Sequence, residues 1–567
     1  MSIIDLPPGM VLILAAMVAV FLPHNLRRIV LVGAPVFGFL QLIDFPPVAL
    51  SASFFGMELT TVRVDDLSLV WGYIFYIAAF ISGIYHMHVK DRMQDVAALS
   101  YMGSAIGVVF AGDLVTLFVY WELTAVTSVF LIFANRTEES FQAGMRYLLV
   151  QIASGVLLLG GIVMFWQEKG SVAFTAMELD GLATWLILLG FGVKAAFPLL
   201  HTWLPDAYPQ GTVSGTVILS SFTTKMAIYT LVRGFPGTEI LIWIGVVMAL
   251  FPLVFAMAEN DLRRTLAYSL NTQLGFMVVA VGIGSDLAIN GVAAHAFAHI
   301  LYKSLLFMAV GSVLYRTGTA KVSELGGQWP NMKLTAILCM IGALSMSAPL
   351  FASFVSKSLI LSSVAKDDQL LVWILLLLAA AAVFINSGLK VPYTIFFAKP
   401  RDGQPREAKR EPANMTLAMI IGALLCIGVG SPRGYQYLYD ILPNQMEYAP
   451  YTFGHVITQL QLLLFAALGF FWLVRSGRYP FESGAAIRDA DWIVRVPVMR
   501  GVLAINGFIG AAGRLIRSGL VECVHAVIDL ADRIVGSDGV AARHVMVGTG
   551  VLWLMVMLLG YLLVYLF

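Results

Sequence analysis

Two histidines and a lysine stand in one row within an apolar stretch, AAHAFAHILYKSLLFM at 293–308. His295, His299 and Lys303 are spaced four residues apart. At 3.6 residues per turn, this spacing places all three on one face of a helix. Each group can take up and release a proton, and a histidine does so near neutral pH. The row therefore predicts proton transfer along a helix.

Five further ionisable residues lie in other apolar stretches. Charged groups inside such stretches are costly and usually mark pathways or buried partners. Each residue also has a purely structural interpretation, because a lysine near a span end can extend to the headgroups and a Glu–Lys pair can be structural. Together, however, they indicate a proton wire, since burial disfavours a lysine's charged form and allows proton exchange near neutral pH. The five residues are Glu122, Lys194, Lys225, Lys357 and Lys390.

The composition indicates whether these residues lie in a soluble or a membrane protein. The chain has 567 residues, of which 59% are hydrophobic and 12% are charged, against about 25% charged in soluble proteins. The net charge of +1 and the lack of a basic patch with interleaved aromatics give no indication of nucleic acid. Cys339, Cys426 and Cys523 are too scattered for a metal site or disulfide framework. We expect no cofactor, and we expect the first helix to stay because no basic flank of a cleaved signal precedes it.

The recurring apolar runs predict an all-α polytopic membrane protein with about 16 transmembrane helices. The expected domains are N-terminal helices at 1–111, a core at 95–397, added helices at 413–474, an inner-surface arm at 475–548 and a final helix at 549–567. The predicted spans are 9–23, 29–49, 66–88, 95–111, 113–133, 144–166, 181–204, 212–233, 238–257, 262–283, 289–315, 333–364, 370–397, 413–430, 456–474 and 549–567.

Prolines interrupt two of these spans. Pro198 and Pro205 lie in the seventh span, and Pro349 lies in the twelfth. A proline breaks the backbone ladder, which membrane proteins tolerate where the break is buried or lines a polar cavity. A broken span with a lysine is followed in both cases by a span with a lysine. This pattern predicts two inverted five-helix repeats, spans 4–8 and 9–13, with broken helices 7 and 12.

Loop charges predict the orientation. With the N-terminus outside, the inward loops hold 21 Lys and Arg residues and the outward loops hold five, as the positive-inside rule requires. The segment 488–548 is too polar to span the membrane and too apolar to float free. It predicts one or two amphipathic helices along the inner surface, with a folded inner-side cap as the alternative.

Six motifs then give a resemblance. The chain resembles the antiporter-like subunits shared by Mrp-type cation/proton antiporters, respiratory complex I and membrane-bound hydrogenases. The motifs follow the family's order across about 300 residues and are specific only together. They are WEL at 121–123, VKAAFPLLHTWLPDAYP at 193–209, TK at 224–225, NDLRRTLAYSLNTQLGFM at 260–277, HAFAHILYKSLLF at 295–307 and SAPLFASFVSK at 347–357.

The resemblance implies a role for each matched residue. Glu122 matches a glutamate that pairs with the lysine of the first broken helix, Lys194, and Lys225 matches a connecting lysine. Lys357 matches the terminal lysine. The histidines and Lys303 match the central relay, while Lys390 has no counterpart and is proposed from internal symmetry alone. The sequence departs from the family in QGTVSGT after DAYP and in SAPLFASF, where a Gly-Pro-Pro pattern is common; both departures affect backbone water access rather than titratable groups.

The function implied is proton translocation in a multisubunit Mrp-type Na+/H+ antiporter of the bacterial inner membrane, as a D-like subunit with an added arm that contacts a neighbouring subunit. One alternative is a proton-pumping subunit of a quinone oxidoreductase or hydrogenase. Others are a proton-flux partner in inorganic-carbon uptake with a zinc-binding partner, and a non-conducting scaffold. The acids near span ends, Asp113 and Asp206, fit helix caps and loop ends better than a sodium site.

Overall fold

The described residues of the first third of the chain form one short helix, five long helices and a small hairpin. The computed structural model describes residues 6–45, 49–54, 57–400, 403–479, 489, 499–536 and 547–566. In order, the elements are α1 Met10–Ala19, α2 His24–Ile43, β1 Ala49–Phe54, β2 Met57–Arg63, α3 Asp66–His86, α4 Arg92–Phe110, α5 Leu114–Phe133 and α6 Glu138–Lys169.

The first broken span follows. Helix α7, Leu182–Lys194, stops at Lys194, and the short helix α8, Trp203–Ala207, resumes nearby. Pro198 has no N–H to continue the ladder, and Ala196 and Leu199 turn the backbone into the left-handed region at φ 62° and 69°. The break at the seventh predicted span is therefore confirmed.

The central helices come next, and they include the second break. They are α9 Val213–Gly234, α10 Ile240–Ala258, α11 Leu262–Ile283, α12 Asp286–Thr317, α13 Lys333–Leu344 and α14 Ala352–Lys366. The gap between α13 and α14 contains Pro349, and Leu350 has a left-handed φ of 74°. The interruption predicted for the twelfth span is also confirmed.

The remaining helices are α15 Leu370–Phe397, α16 Ala413–Gly430, α17 Tyr435–Tyr439, α18 Phe453–Arg475, α19 Met499–Val535 and α20 Val547–Leu566. Helix α15 widens into π-helical turns at Phe384–Leu389 and Tyr393–Phe397. The sequence did not predict these turns.

The chain is a mostly helical, multi-pass membrane protein. Within the described residues, twelve helices are long and apolar enough to cross a bilayer. Each of the sixteen predicted spans contains a helix, but α1, α7 and α13 are short and α9 is less apolar. The total number of crossings therefore stays a prediction, as do the two inverted repeats.

Strands β1 and β2 form an antiparallel hairpin that the sequence did not predict. It anchors the loops around it, because Thr60 accepts a hydrogen bond from the Gly112 backbone N–H at 3.0 Å. Arg63 donates to the Phe174 carbonyl at 2.7 Å. The hairpin thus fixes the segment from which α5 starts.

Helices α11 and α12 form the centre of the protein. In the most apolar window of each, 94% of the residues are buried. Helix α12 packs against α9, α11 and α14. The helix that carries the histidine–lysine row is therefore surrounded by protein rather than lipid.

A buried polar cluster ties α2, α3, α4 and α9 together. Arg27 donates to Asp95 at 2.7 Å. His86 lies 3.1 Å from the other oxygen of Asp95 and 2.8 Å from the Ser214 hydroxyl. Arg27, expected in an inward loop, instead lies in the first turn of α2 because Asp95 compensates its charge.

By contacts, the chain divides into two compact units, Met1–Asp489 and Ala490–Phe567. The second contains α19, an amphipathic helix, and the apolar α20. The predicted arm at 475–548 thus contains one helix of 37 residues, about 55 Å long at 1.5 Å per residue. Its parts at 480–488, 490–498 and 537–546 lie outside the described residues.

A close approach of α10 and α11 generates a stability prediction. A Cβ added to Gly275 would lie 2.6 Å from the Gly245 carbonyl oxygen and close to the Ala249 backbone. We expect Gly275→Ala to lower the free energy of unfolding by about 1–3 kcal/mol, because backbone atoms must move apart. Thermal unfolding of the purified protein in detergent measures the effect.

The matched control is Gly33→Ala in α2, where the added Cβ meets nothing within 4 Å. Equal melting temperatures for the two variants would contradict this account of the packing.

Candidate functional site

The central row lies on one helix, as the sequence predicts. His295, His299 and Lys303 are all fully buried on α12. The two imidazole rings are parallel within 2°, with centroids 5.9 Å apart. The helix backbone thus holds two proton-exchanging rings at a fixed separation inside the protein.

Neighbouring helices supply partners to the row. One ring nitrogen of His295 lies 2.9 Å from the Ser356 hydroxyl of α14, and the other lies 3.1 Å from the Gln273 side-chain oxygen of α11. Lys303 donates to the Ser269 hydroxyl. Because Ser356 precedes Lys357 in the chain, His295 is linked directly to the segment that carries the terminal lysine.

His299 is one of several central residues whose buried polar atoms have no hydrogen-bond partner among the described residues. Neither of its ring nitrogens has a hydrogen-bond partner within the described part of the chain. The same holds for the side-chain oxygens of Thr224, Asn271 and Thr272, and for the amide nitrogen of Gln273. Buried polar groups need partners, and water supplies them where protein does not. These atoms lie on α9 and α11, two helices that pack against α12, and such buried polar positions suit water-mediated proton transfer.

Lys225 lies on α9, facing the row. It is fully buried, and its ammonium donates to the Ser220 carbonyl at 2.5 Å. It is close enough to interact electrostatically with both histidines and with Lys303. The structure therefore brings the predicted connecting lysine to the central row.

The first broken helix holds Lys194 at its last residue. The fully buried ammonium donates to the Trp121 carbonyl at 2.6 Å and to the Thr124 hydroxyl at 3.0 Å. It also lies 4.5 Å from the centroid of the Trp121 ring. Lys194 is thus held by the carbonyl and ring of Trp121 and by the hydroxyl of Thr124, all on α5.

Glu122 lies beside this site without closing on it. Among the described residues, no ion pair within 4.0 Å joins it to Lys194, although the two interact electrostatically. One carboxylate oxygen is buried without a hydrogen-bond partner, next to Gly155 of α6. The expected Glu122–Lys194 pair is therefore open in this structure.

Lys357 reaches back from α14 into the second break. It donates to the Met346 carbonyl at 2.9 Å and to the Ser347 hydroxyl at 3.2 Å. Its ammonium lies 5.1 Å from the centroid of the Phe276 ring. The lysines of both breaks are therefore held by a backbone carbonyl, a hydroxyl and an aromatic ring.

Lys390 occupies a different setting. Its ammonium donates to the carbonyls of Ala256, Met257 and Glu259, at 3.1, 2.9 and 2.9 Å. These carbonyls end α10 and have no further turn to bond to. Lys390 thus caps a helix C-terminus, while its place in the relay stays a prediction.

Sequence reasoning missed a buried group beside the first break. His201 lies 3.3 Å from a carboxylate oxygen of Asp489, and the Tyr268 hydroxyl donates to the same oxygen at 2.9 Å. His201 stands in the quoted motif at 193–209, but Asp489 is 288 residues away. A sequence pattern gives no signal for a contact over that separation.

The two acids considered for sodium have other partners. Asp113 caps α5 by accepting from the Thr116 backbone N–H at 2.7 Å. Asp206 pairs with Arg146 at 2.8 and 3.1 Å. The cap and loop-end interpretation of the two residues thus describes them better than a shared cation site.

The chain belongs to the family described as NADH:quinone oxidoreductase/Mrp antiporter, whose transmembrane model matches residues 111–433. This range is more than half of the chain and contains every candidate residue named above except Asp489. The segment that carries the buried row thus belongs to a family of antiporter and complex I-type proton-translocating membrane subunits.

Curated relatives come from both branches of the family. Hydrogenase-4 component B of Escherichia coli is 26% identical over 413 residues, covering 65% of this chain and 62% of the relative. A Na(+)/H(+) antiporter subunit of Alkalihalophilus pseudofirmus is 29% identical over 349 residues, covering 55% of this chain and 43% of the relative. The chain thus spans less than two thirds of either relative.

A solved structure has the same fold. The Mrp complex from Dietzia sp. DQ12-45-1b contains a chain with a TM-score of 0.73 and 24% identity. The match covers 92% of this chain and 62% of that chain. The fold is therefore one found in a multisubunit membrane complex.

The two interpretations of Lys390 predict different results for Lys390→Arg. We expect this variant to retain proton flux in the assembled complex, because the guanidinium can still donate to the end of α10. Arginine does not release its proton in proteins, so a relay role would make the same substitution abolish flux. The flux of the assembled variant decides between the two.

Lys390→Met is the control, since it leaves three carbonyls without their donor. It should lower the thermal stability of the protein, whereas Lys390→Arg should not.

Proposed function

We propose that this chain is a proton-translocating subunit of a multisubunit Mrp-type Na+/H+ antiporter. In this proposal it lies in the bacterial inner membrane with its N-terminus outside. The observation that carries the proposal is the buried row of His295 and His299 on α12, between Lys225 on one side and Lys357 on the other. Such groups are costly to bury in an apolar protein and suit a proton path.

In the proposed mechanism, the Glu122–Lys194 pair acts as the switch. When the carboxylate closes on Lys194, it stabilises the protonated lysine. A change of charge in a neighbouring subunit opens the pair, and Lys194 then releases its proton toward Lys225. The proton crosses the central row and reaches Lys357. The open geometry of the structure corresponds to the second state of this cycle.

The coupled cation is proposed to be Na+. Support comes from the name of the Na(+)/H(+) antiporter relative. The acids of this chain that were considered for sodium have helix-capping and arginine partners instead. In this proposal the cation therefore binds largely on another subunit, and the present chain conducts the proton.

A second candidate is the proton-pumping module of a hydrogenase or quinone oxidoreductase. The similarity to hydrogenase-4 component B favours it. The proton path would be the same, and the partner subunits would differ. Redox subunits that co-purify with the native complex would favour this candidate over the antiporter.

The main test is proton flux in vesicles that contain the whole natural complex. We expect added Na+ to drive flux in the wild type, and Lys194→Ala and Lys225→Ala to reduce it at least tenfold at equal assembly. The reason is that each variant removes one buried proton carrier. A pH-sensitive dye reports the flux.

Lys333→Ala is the matched control, because Lys333 is exposed at the start of α13 and should leave flux unchanged. Normal conduction by the Lys194 and Lys225 variants would instead favour a scaffold role. Flux that does not depend on Na+ would favour the redox candidate.

We further propose that the segment after Asp489 binds a neighbouring subunit. Helix α19 has apolar residues such as Leu520, Val524 and Val527 that are exposed in the isolated chain, and charged residues on its other side. An exposed apolar stripe of this kind suits a partner protein or the membrane surface.

Truncation after Asp489 tests this proposal while keeping the contact with His201. We expect the truncated chain to fold, because Met1–Asp489 is compact by itself, but to be lost from the complex. Affinity purification of a partner subunit measures retention. A complete and stable complex without 490–567 would refute the role in assembly.

A further inference from the structure

A cavity that contains both polar and apolar side chains lies beside the terminal lysine, and one of its walls comes from outside the segment that matches the family. The cavity has a volume of about 270 Å³ and lies between α14, α15 and α18. The family match ends at 433, whereas α18 starts at Phe453. The polar lining consists mainly of Ser347, Lys357, Ser362, His455, Thr458 and Gln459.

The cavity follows α14 from Lys357 to the end of the helix. Its lining on α14 runs from Phe354 to Ala365, and the part from Lys357 to Ala365 rises about 12 Å. The next residues, 367–369, form the loop between α14 and α15. In the proposed orientation this loop faces outward, so the cavity extends from the buried lysine toward the outer surface.

Gln459 of α18 binds Ser347, which in turn accepts a hydrogen bond from Lys357. Its side-chain amide donates to the Ser347 carbonyl at 2.9 Å, while Lys357 donates to the Ser347 hydroxyl at 3.2 Å. Gln459 therefore acts through Ser347 and positions the proton donor at the inner end of the cavity.

His455 lies one turn before Gln459 on the same face of α18. Its ring stacks on Tyr448 at 6.1 Å, and its Nδ1 is buried without a hydrogen-bond partner among the described residues. The Tyr448 hydroxyl in turn bonds the Ser362 hydroxyl at 2.7 Å and donates to the Ser358 carbonyl at 3.0 Å. The His455 ring thus lies at the cavity wall, in contact with Tyr448.

We propose that this cavity is the outward proton outlet of Lys357 and that His455 is its proton acceptor. The inference rests on the proposed function. The Lys357 ammonium gives one proton to water in the cavity, and neutral His455 takes it up and becomes imidazolium. The imidazolium then releases the proton to the outer water, and the neutral lysine accepts the next proton from the central row.

The first test measures flux in vesicles that contain the complete complex. His455→Gln keeps a polar side chain but cannot titrate, and we expect at least tenfold lower flux at equal assembly. His455→Ala should show the same loss, and imidazole added on the outer side should restore its flux. Gln461→Ala, at an exposed residue of α18 that does not line the cavity, should stay within twofold of the wild type.

The outcomes separate this proposal from the proposed function. Imidazole should not restore Lys194→Ala, because its defect lies before the outlet. If Lys194→Ala blocks flux while His455→Gln conducts like the wild type, the outlet is wrong and the relay stands. If His455→Ala is inactive and imidazole does not restore it, His455 is not the proton acceptor. If Lys194→Ala conducts normally, the relay itself is wrong.

A second measurement does not depend on activity. Ser362→Cys in a Cys523→Ser background should react with a membrane-impermeant thiol reagent from the outer side only. Cys339 and Cys426 are buried and should stay unlabelled. Labelling from the inner side, or none from either side, would overturn the outward outlet.

Discussion

The hydrogen bond from a buried lysine to a backbone carbonyl is the interaction on which the site depends. Lys194, Lys225, Lys357 and Lys390 all donate to carbonyl oxygens. A carbonyl accepts a hydrogen bond from an ammonium or from a neutral amine, so the contact survives the loss of a proton. A closed carboxylate pair would strongly favour the charged form. Neutral dipoles therefore hold these lysines in place without fixing their charge.

The fold has to supply those carbonyls where a lysine can reach them. Met346 offers its carbonyl inside the second break, and the end of α10 offers the carbonyls that Lys390 binds. Trp121 and Ser220 offer theirs along intact helices. At the second break, Pro349 and the left-handed Leu350 thus contribute to the electrostatics of the site, because the interruption frees the Met346 carbonyl within the protein interior.

Much of this arrangement could be predicted from the sequence. Ionisable residues in apolar runs stand out, and Pro198 and Pro349 mark the breaks. Prediction fails where a contact joins distant segments: Arg27 enters α2 because Asp95 meets it 68 residues later, and Asp489 reaches the first break from 288 residues away. Local periodicity carries no information on such partners. The hairpin and the π-helical turns of α15 were missed for a related reason, since tertiary packing overrides local propensity in short or irregular segments.

Helix α12 carries both central histidines and Lys303, so it keeps the distances between these three residues constant. The separations along it are set by the hydrogen-bonded geometry of the helix backbone and change little in small movements of the protein. Lys225 and Lys357 lie on α9 and α14, so tilting or sliding of these helices changes only the distances from the two lysines to the row. The central part of the path is therefore rigid. Movement of a neighbouring subunit would change the path at its two ends, where the row meets Lys225 and Lys357.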